Sequence, residues 1–152
     1  MEAEKLIYRM TDAVAAAKSK RNKLIIVNTK KVAFEKAIAA IGLDCINLNL
    51  LLSEKLLEIP VSKRSRSVDS FIKDLIKSNN MNTLALSNYE LLFLPELKQD
   101  PMRLFEDLSK ERVILIVWEG RYENNSLYYA EPWHREYREY KDLDAIIVQG
   151  NI

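Results

Sequence analysis

Five short apolar runs, separated by longer stretches with apolar residues at helical spacing, dominate the pattern of hydrophobic and polar positions. The runs lie at 24–27, 45–48, 83–86, 113–118 and 145–148. Continuous apolar runs of this length are typical of strands that are buried on both faces of a parallel sheet. The helical stretches between them supply the crossover connections that parallel strands need. The sequence therefore predicts an α/β fold, a three-layer sandwich with a mainly parallel five-stranded sheet, in a single domain over 1–152.

The stretches between these runs are bounded by residues that begin or end helices. We expect helices over 2–20, between Asn28 and Gly42, over 51–59, after Ser67 and after Pro101. The inward face of the second helix is expected to carry Val32, Phe34, Ala37, Ile38 and Ile41. The basic segment 61–66 is predicted to be a loop. The segment 120–140, which is rich in tyrosine and charge, is predicted to be irregular.

Composition and charge exclude several classes of protein. Hydrophobic residues make up 48% of the 152, which argues against disorder, and Lys+Arg 23 against Asp+Glu 22 gives a net charge of +1. No strong field therefore draws the chain to nucleic acid or to a membrane. No apolar run approaches membrane-spanning length, and the N-terminal stretch lacks the apolar region of a signal peptide. With a single cysteine, Cys45, no internal disulfide can form, and a cytoplasmic location is expected.

The turn after the first strand has the context of a phosphate-binding P-loop, but not its residues. That loop, GxxxxGK[ST], uses glycines to curl N–H groups around phosphates, a lysine for their oxygens and a hydroxyl for Mg²⁺. The end of the strand aligns it with residues 28–35, NTKKVAFE. Asn28 and Ala33 then stand at the glycine positions, Phe34 at the lysine and Glu35 at the hydroxyl residue, with Thr29, Lys30 and Lys31 in between. We interpret this segment as a vestigial nucleotide loop.

Two further strand ends also lack groups that ATP hydrolysis uses. The third strand of such an enzyme normally ends in an acidic pair that serves Mg²⁺ and the attacking water. Here Ser87 and Asn88 occupy that place, and Glu90 is the acid that remains nearby. The sensor position after the next strand is Glu119, which offers no donor to a γ-phosphate. No metal site is expected, and Glu90 is the one catalytic candidate.

Three segments of the chain resemble a known family. They are INLNLLLSEKLLEIP at 46–60, NYELLFLPELKQDPMRLFEDLSKERVILIVWEG at 88–120 and YYAEPWHREYREY at 128–140. In these segments the chain resembles BrxF, the small P-loop proteins of type 3 BREX bacteriophage-defence systems. The resemblance implies an AAA-related ATPase core without a lid domain. It also implies a place beside a large ATPase, a methyltransferase, a phosphatase-like protein and a helicase.

The altered strand ends favour a degenerate member of this family that has kept the fold and lost the chemistry. We expect an interaction subunit of a BREX-type defence complex, with other defence-system proteins, among them the large ATPase, as candidate partners. No cofactor is expected, although binding of ATP and Mg²⁺ is an alternative. The sequence is also compatible with a homo-oligomer. One alternative is a weak ATPase with a site rebuilt from Lys30, Lys31, Lys36, Glu35 and Glu90. The other is a DNA-binding accessory protein that uses 18–23, Lys63, Arg64 and Arg66.

Aromatic side chains are concentrated in 120–140 and are candidates for a partner surface, because such residues dominate protein interfaces. They are Tyr122, Tyr128, Tyr129, Trp133, Tyr137 and Tyr140. Two other interpretations are packing against the core of the domain itself and stacking on nucleic-acid bases.

The remaining polar residues give weaker indications. His134 is the only histidine, and Cys45 is expected in a core strand, so no zinc site is predicted. The acidic residues Glu131, Glu136, Glu139, Asp142 and Asp144 alternate with Arg135, Arg138 and Lys141. This alternation is interpreted as a solvated helix face with local ion pairs.

Overall fold

The computed structural model describes residues 2–150 and contains the expected parallel sheet. Its strands are β1 (Leu24–Asn28), β2 (Cys45–Asn47), β3 (Thr83–Ser87), β4 (Val113–Trp118) and β8 (Ile146–Gln149). Their order across the sheet is β2-β3-β4-β1-β8, and every pairing between neighbours is parallel. The five apolar runs of the sequence are these five strands, so the predicted α/β architecture is confirmed.

The burial of the strands follows their position in the sheet. All residues of β1, β3 and β4 are buried, because each of these strands has a neighbour on both sides and helices above and below. Strand β2 lies at the edge and exposes two of its three residues. Cys45 is one of these exposed residues, so its expected place in the core is wrong.

Five α-helices cover the sheet. They are α1 (Glu2–Ala17), α2 (Lys31–Ile41), α3 (Leu48–Leu57), α4 (Val61–Lys77) and α5 (Pro101–Leu108). Helix α1 packs beside α2, while α3 and α5 both pack beside α4, which is consistent with a three-layer sandwich. Two short 3-10 turns, Glu90–Phe93 and Pro95–Leu97, connect β3 to α5.

The ends of the helices depend on the residues that the sequence singles out. Gly42 ends α2 with φ 85°, a left-handed conformation that glycine adopts at little cost. The carboxylate of Asp100 caps α5 by accepting a hydrogen bond from the Arg103 N–H at 3.2 Å. Phe34, Ala37 and Ile38 face inward from α2 as expected. Val32 does not, since it is 62% exposed.

The predicted loop at 61–66 is wrong, because these residues form the first turns of α4. The segment is polar but contains no residue that breaks a helix, and Pro60 directly before it fits the start of one. Arg64 donates from Nε to the carbonyls of Leu56 and Ile59, which joins α4 to the end of α3. Ser67 lies inside the helix and donates to the Lys63 carbonyl instead of acting as a cap.

The segment 120–140 is not irregular, because it contributes most of a second, antiparallel sheet. Its strands are β5 (Arg121–Glu123), β6 (Ser126–Tyr129) and β7 (Arg138–Lys141), in the order β5-β6-β7. A two-residue turn joins β5 to β6, with Asn124 and Asn125 at φ 51° and 60°. Both values match a hairpin turn whose twist suits antiparallel strands, and asparagine tolerates them.

The interpretation of the charged stretch as a helix face is also wrong. Arg138, Glu139, Tyr140 and Lys141 alternate between half-buried and exposed positions, which is the period of a strand. A local ion pair is present within this stretch, while Arg135 pairs with a residue outside it. Lys141 lies 3.3 Å from Glu139, and Arg135 lies 2.6 Å from Glu96.

Candidate functional site

The three strand ends that the sequence singles out lie side by side. Strand β4 pairs with β1 on one side and with β3 on the other. Chain connections leave β1 and β4 toward opposite edges of the sheet, since β1 leads to β2 at one edge and β4 leads to β8 at the other. Such a switch point is where open α/β sheets usually bind ligands. The candidate site is therefore at the carboxyl ends of β1, β4 and β3.

The connection from β1 to α2 is too short for a P-loop. Strand β1 ends at Asn28 and α2 begins at Lys31, so only Thr29 and Lys30 lie between them. The side-chain amide of Asn28 donates to the carbonyls of Trp118 at 2.8 Å and Gly120 at 2.9 Å. These bonds hold the end of β1 against the end of β4.

The other residues of the vestigial loop lie within α2. Ala33, Phe34 and Glu35 are helical, and the Phe34 N–H already donates to the Lys30 carbonyl. The Phe34 side chain is fully buried in the core. Its N–H is therefore not free to bind a phosphate, and its ring is a core contact.

The start of α2 carries an internal anion. The Lys31 N–H donates to Oε2 of Glu119 at 2.9 Å. A helix N-terminus has unpaired N–H groups and a partial positive charge, so it favours a carboxylate or a phosphate. Glu119 supplies the carboxylate from the end of β4, at the place where a nucleotide-binding loop would hold phosphate.

The side chain of Lys31 is also in use. Its ammonium donates to Oδ1 of Asn88 at 2.7 Å, and Asn88 lies just beyond β3 with φ 51°. Lys31 thus connects the ends of β4 and β3 through its backbone and its side chain. The structure brings together Lys31, Asn88 and Glu119, which the sequence placed on three separate strand ends.

Glu90 points into a different set of contacts. Its Oε2 accepts from Nδ2 of Asn49 at 2.7 Å, while Oδ1 of Asn49 accepts from the Leu91 N–H at 3.0 Å. This arrangement ties the turn after β3 to α3. Sequence reasoning did not select Asn49, because an asparagine inside an apolar helix carries no motif.

Ser87 is a buried link and not a metal ligand. It is 1% exposed, and its hydroxyl lies 3.4 Å from both the Cys45 thiol and Nδ2 of Asn88. Partial loss of contact with water raises the pKa of the Cys45 thiol above its ordinary value, although the residue is exposed, while the hydrogen bond to Ser87 acts in the opposite direction. A raised pKa keeps the thiol protonated and weakly nucleophilic.

An aromatic cluster fastens the small sheet to the large one. The rings of Phe93 and Tyr129 stack with centroids 3.7 Å apart and an interplanar angle of 6°. Trp118, at the end of β4, meets Tyr129 and Tyr140 edge to face at 6.0 and 6.1 Å. Tyr89 is buried beside them and donates its hydroxyl to the Val117 carbonyl. Tyr129 and Tyr140 therefore pack on the core of the domain.

Of the six aromatic candidates for a partner surface, Trp133 alone is largely exposed, at 83%. Tyr122, Tyr128 and Tyr137 are half-buried. The Arg121 guanidinium lies over the Tyr128 ring, 4.5 Å from its centroid, which shields one face of that ring. The segment thus divides into side chains that anchor the small sheet and one tryptophan that projects from it.

Across residues 2–150, no three His, Cys, Asp or Glu side chains are grouped so as to hold a metal ion. His134 is exposed, and its Nδ1 accepts from the Glu136 N–H at 3.1 Å. None of the helices in this part of the chain combines the length and apolar character needed to cross a bilayer.

The chain has no match among models of protein families, among curated proteins or among solved structures.

The buried tyrosines predict a loss of stability at alkaline pH. Burial raises the pKa of Tyr129 to about 12, with the Glu90 and Glu136 charges adding to the effect, and burial also raises the pKa of Tyr89 well above its ordinary value. A tyrosine of the unfolded chain ionises near pH 10. Because the folded pKa is higher, this stabilisation is complete below about pH 10 and is lost as the pH rises toward about 12.

We expect the free energy of unfolding, measured by urea denaturation at a series of pH values, to fall across this window. Tyr129→Phe removes one of the responsible groups and should flatten the fall. Tyr8→Phe, at a tyrosine that is 73% exposed, is the control. A fall that Tyr129→Phe leaves unchanged would mean that this ring does not stay buried and protonated.

Proposed function

We propose that the chain is a P-loop-ATPase-like domain whose phosphate site is closed by its own side chains. In this proposal it serves as an interaction subunit of a BREX-type bacteriophage-defence assembly. The observation that carries the proposal is the hydrogen bond between the Lys31 N–H and the Glu119 carboxylate. An anion that belongs to the chain takes the place that a nucleotide phosphate would need.

The topology of the sheet supports descent from a nucleotide-binding domain. The strand that precedes the vestigial loop, β1, is internal, with β4 on one side and β8 on the other. The sensor-position residue and the altered acidic position follow the next two strands, β4 and β3. An AAA-related core requires these three ends to meet at one place, and in this chain Lys31 contacts residues from two of them.

Closure of the site argues against the rebuilt ATPase. Of its five proposed groups, Lys31 is bonded to Asn88 and Glu90 to Asn49. Glu35 and Lys36 are exposed residues inside α2, beyond the two-residue turn. Within residues 2–150, the turn before α2 contains no glycine and no three potential metal ligands are grouped together. Positioning of the triphosphate is most of what phosphoryl transfer asks of a protein.

The nucleic-acid alternative loses part of its basic surface in the same way. Arg64 joins α4 to α3 through two carbonyls, and the Lys23 ammonium donates to the Lys110 carbonyl at 3.2 Å. Phosphate contacts need several free cations on one face. The net charge of +1 does not compensate for this loss.

Trp133 supports the protein-binding role. Its side chain is 83% exposed, although tryptophan usually buries most of its surface in a single domain. Exposed tryptophans are over-represented among the residues that dominate binding energy at protein interfaces. A partner that covers Trp133 would lie next to the Arg135–Glu96 ion pair.

Nucleotide binding tests the closed site. Wild-type protein titrated with ATP and Mg²⁺ in a calorimeter should show no saturable heat at micromolar concentrations, and a phosphate-release assay should show no turnover. Glu119→Ala removes the internal anion and should let inorganic phosphate bind more tightly than it binds wild type. Glu111→Ala, which removes an exposed carboxylate elsewhere, should behave like wild type.

Micromolar binding of ATP by the wild type would contradict the closed phosphate site and favour the rebuilt ATPase. ATP turnover that Glu90→Gln abolishes would do the same.

The partner role needs a separate experiment. Tagged wild-type protein recovered from its native host should carry defence-system proteins, the large ATPase among them, when the bound material is identified by mass spectrometry. Trp133→Ala should lose them, because the exposed ring is the expected anchor. Tyr8→Ala, which removes another aromatic ring that is 73% exposed, should keep them.

Recovery of the same proteins with wild type and Trp133→Ala would exclude Trp133 as the anchor. Absence of any defence-system protein from the wild-type sample would contradict the proposed context itself.

A further inference from the structure

We propose that a cavity beside the start of α2 binds a small anionic amphiphile, a molecule with a short apolar body and a single carboxylate or phosphate-monoester head. The cavity has a volume of about 400 Å³ and lies between α1, the turn from β1 to α2, and the residue after β8. Cavities of several hundred Å³ with apolar walls and a few polar groups are typical of small-molecule sites. The proposal does not depend on the closed phosphate site, since neither Lys31 nor Glu119 lines the cavity.

The walls of the cavity are largely aliphatic. Those from α1 and α2 are Ala3, Leu6, Ile7, Val32, Ala33 and Ala37. Val32 is 62% exposed, although the pattern of α2 predicts it to be buried. An apolar body in the cavity would cover part of that exposed surface and gain the free energy of removing it from water.

A residue with a hydroxyl side chain also lines the cavity. Thr29 is 1% exposed and lines the cavity, yet its hydroxyl makes no hydrogen bond to any other residue of 2–150. Gly150 approaches it closely, because a Cβ at that position would lie 2.8 Å from Thr29 Oγ1. This hydroxyl can donate to an oxygen of a ligand that reaches Thr29.

The charges around the cavity favour an anion of low charge. Lys30 and Lys36 both line it, both are exposed, and neither ammonium has a hydrogen bond or ion pair with another described residue. Glu2 also lines the cavity and adds one negative charge to its rim. A single negative head between the two lysines fits this balance better than a triphosphate does.

Octanoate is a suitable probe, with octyl phosphate and octanol as comparison ligands. Titration of ¹⁵N-labelled full-length protein should shift the amide resonances of Thr29, Val32, Ala33 and Gly150 together at millimolar octanoate. Octanol, which lacks the charge, should bind more weakly. The double variant Lys30→Gln/Lys36→Gln should raise the dissociation constant for octanoate about tenfold, which is the effect expected from the loss of two exposed ion pairs. Lys18→Gln/Lys20→Gln, with the same change of charge at the far end of α1, should bind like wild type.

Two further arms distinguish the possible outcomes. Ala3→Trp places a ring at an exposed wall position and should block the probe without disturbing the core. If octyl phosphate binds more tightly than octanoate, the preferred head group is a phosphate monoester. If octanoate binds more tightly, the preferred head group is a carboxylate. The proposal would be overturned if no probe shifts these four resonances, if octanol binds as well as octanoate, or if ATP shifts them at lower concentration than either anion.

Discussion

The parallel pairing of β1 with β4 determines where every group of the candidate site lies. In this register Asn28 is opposite Trp118, so that Glu119 follows directly beside the turn into α2. The first free N–H of α2 then meets a carboxylate of the same chain. A helix N-terminus at a switch point normally offers this position to a ligand, and here the sheet itself delivers the anion. The hydrogen bond between the Lys31 N–H and Glu119 is thus a consequence of strand register and of the residue that follows β4.

The same strand end supports the small antiparallel sheet. Trp118 is buried under Tyr129 and Tyr140, and Gly120 allows the chain to pass close to the Tyr128 carbonyl, which a Cβ would approach to 2.3 Å. The small sheet is therefore packed against the end of β4. Its inner face is occupied by these rings, while Trp133, between β6 and β7, is exposed.

The sequence predicted the large sheet well because its physical signal is strong. Buried parallel strands must be continuously apolar, and the runs at β1, β3 and β4 have no other interpretation in a chain of this size. Gly42 and Pro101 likewise indicate a helix end and a helix start through their backbone chemistry alone. The three strand ends of the candidate site could be predicted from the sequence for the same reason. Once the strands are known to be parallel, their carboxyl ends must lie along one edge of the sheet.

The misassigned regions share weak local signals. Residues 61–66 are polar and lack a breaker, so loop and solvated helix are equally compatible with them. The strands of the small sheet have three or four residues each, too few for alternation to stand out among charged side chains. Contacts of Lys31 with Glu119 and of Glu90 with Asn49 depend on side-chain direction across separate elements, which no pattern along the chain encodes.

A crystal structure of the protein grown with Mg²⁺ and a non-hydrolysable ATP analogue tests the central claim most directly. The account predicts that the Glu119 carboxylate accepts the Lys31 N–H in that structure and that no triphosphate is ordered at the start of α2. An ordered triphosphate on the Lys31 N–H, with Glu119 turned away, would contradict it.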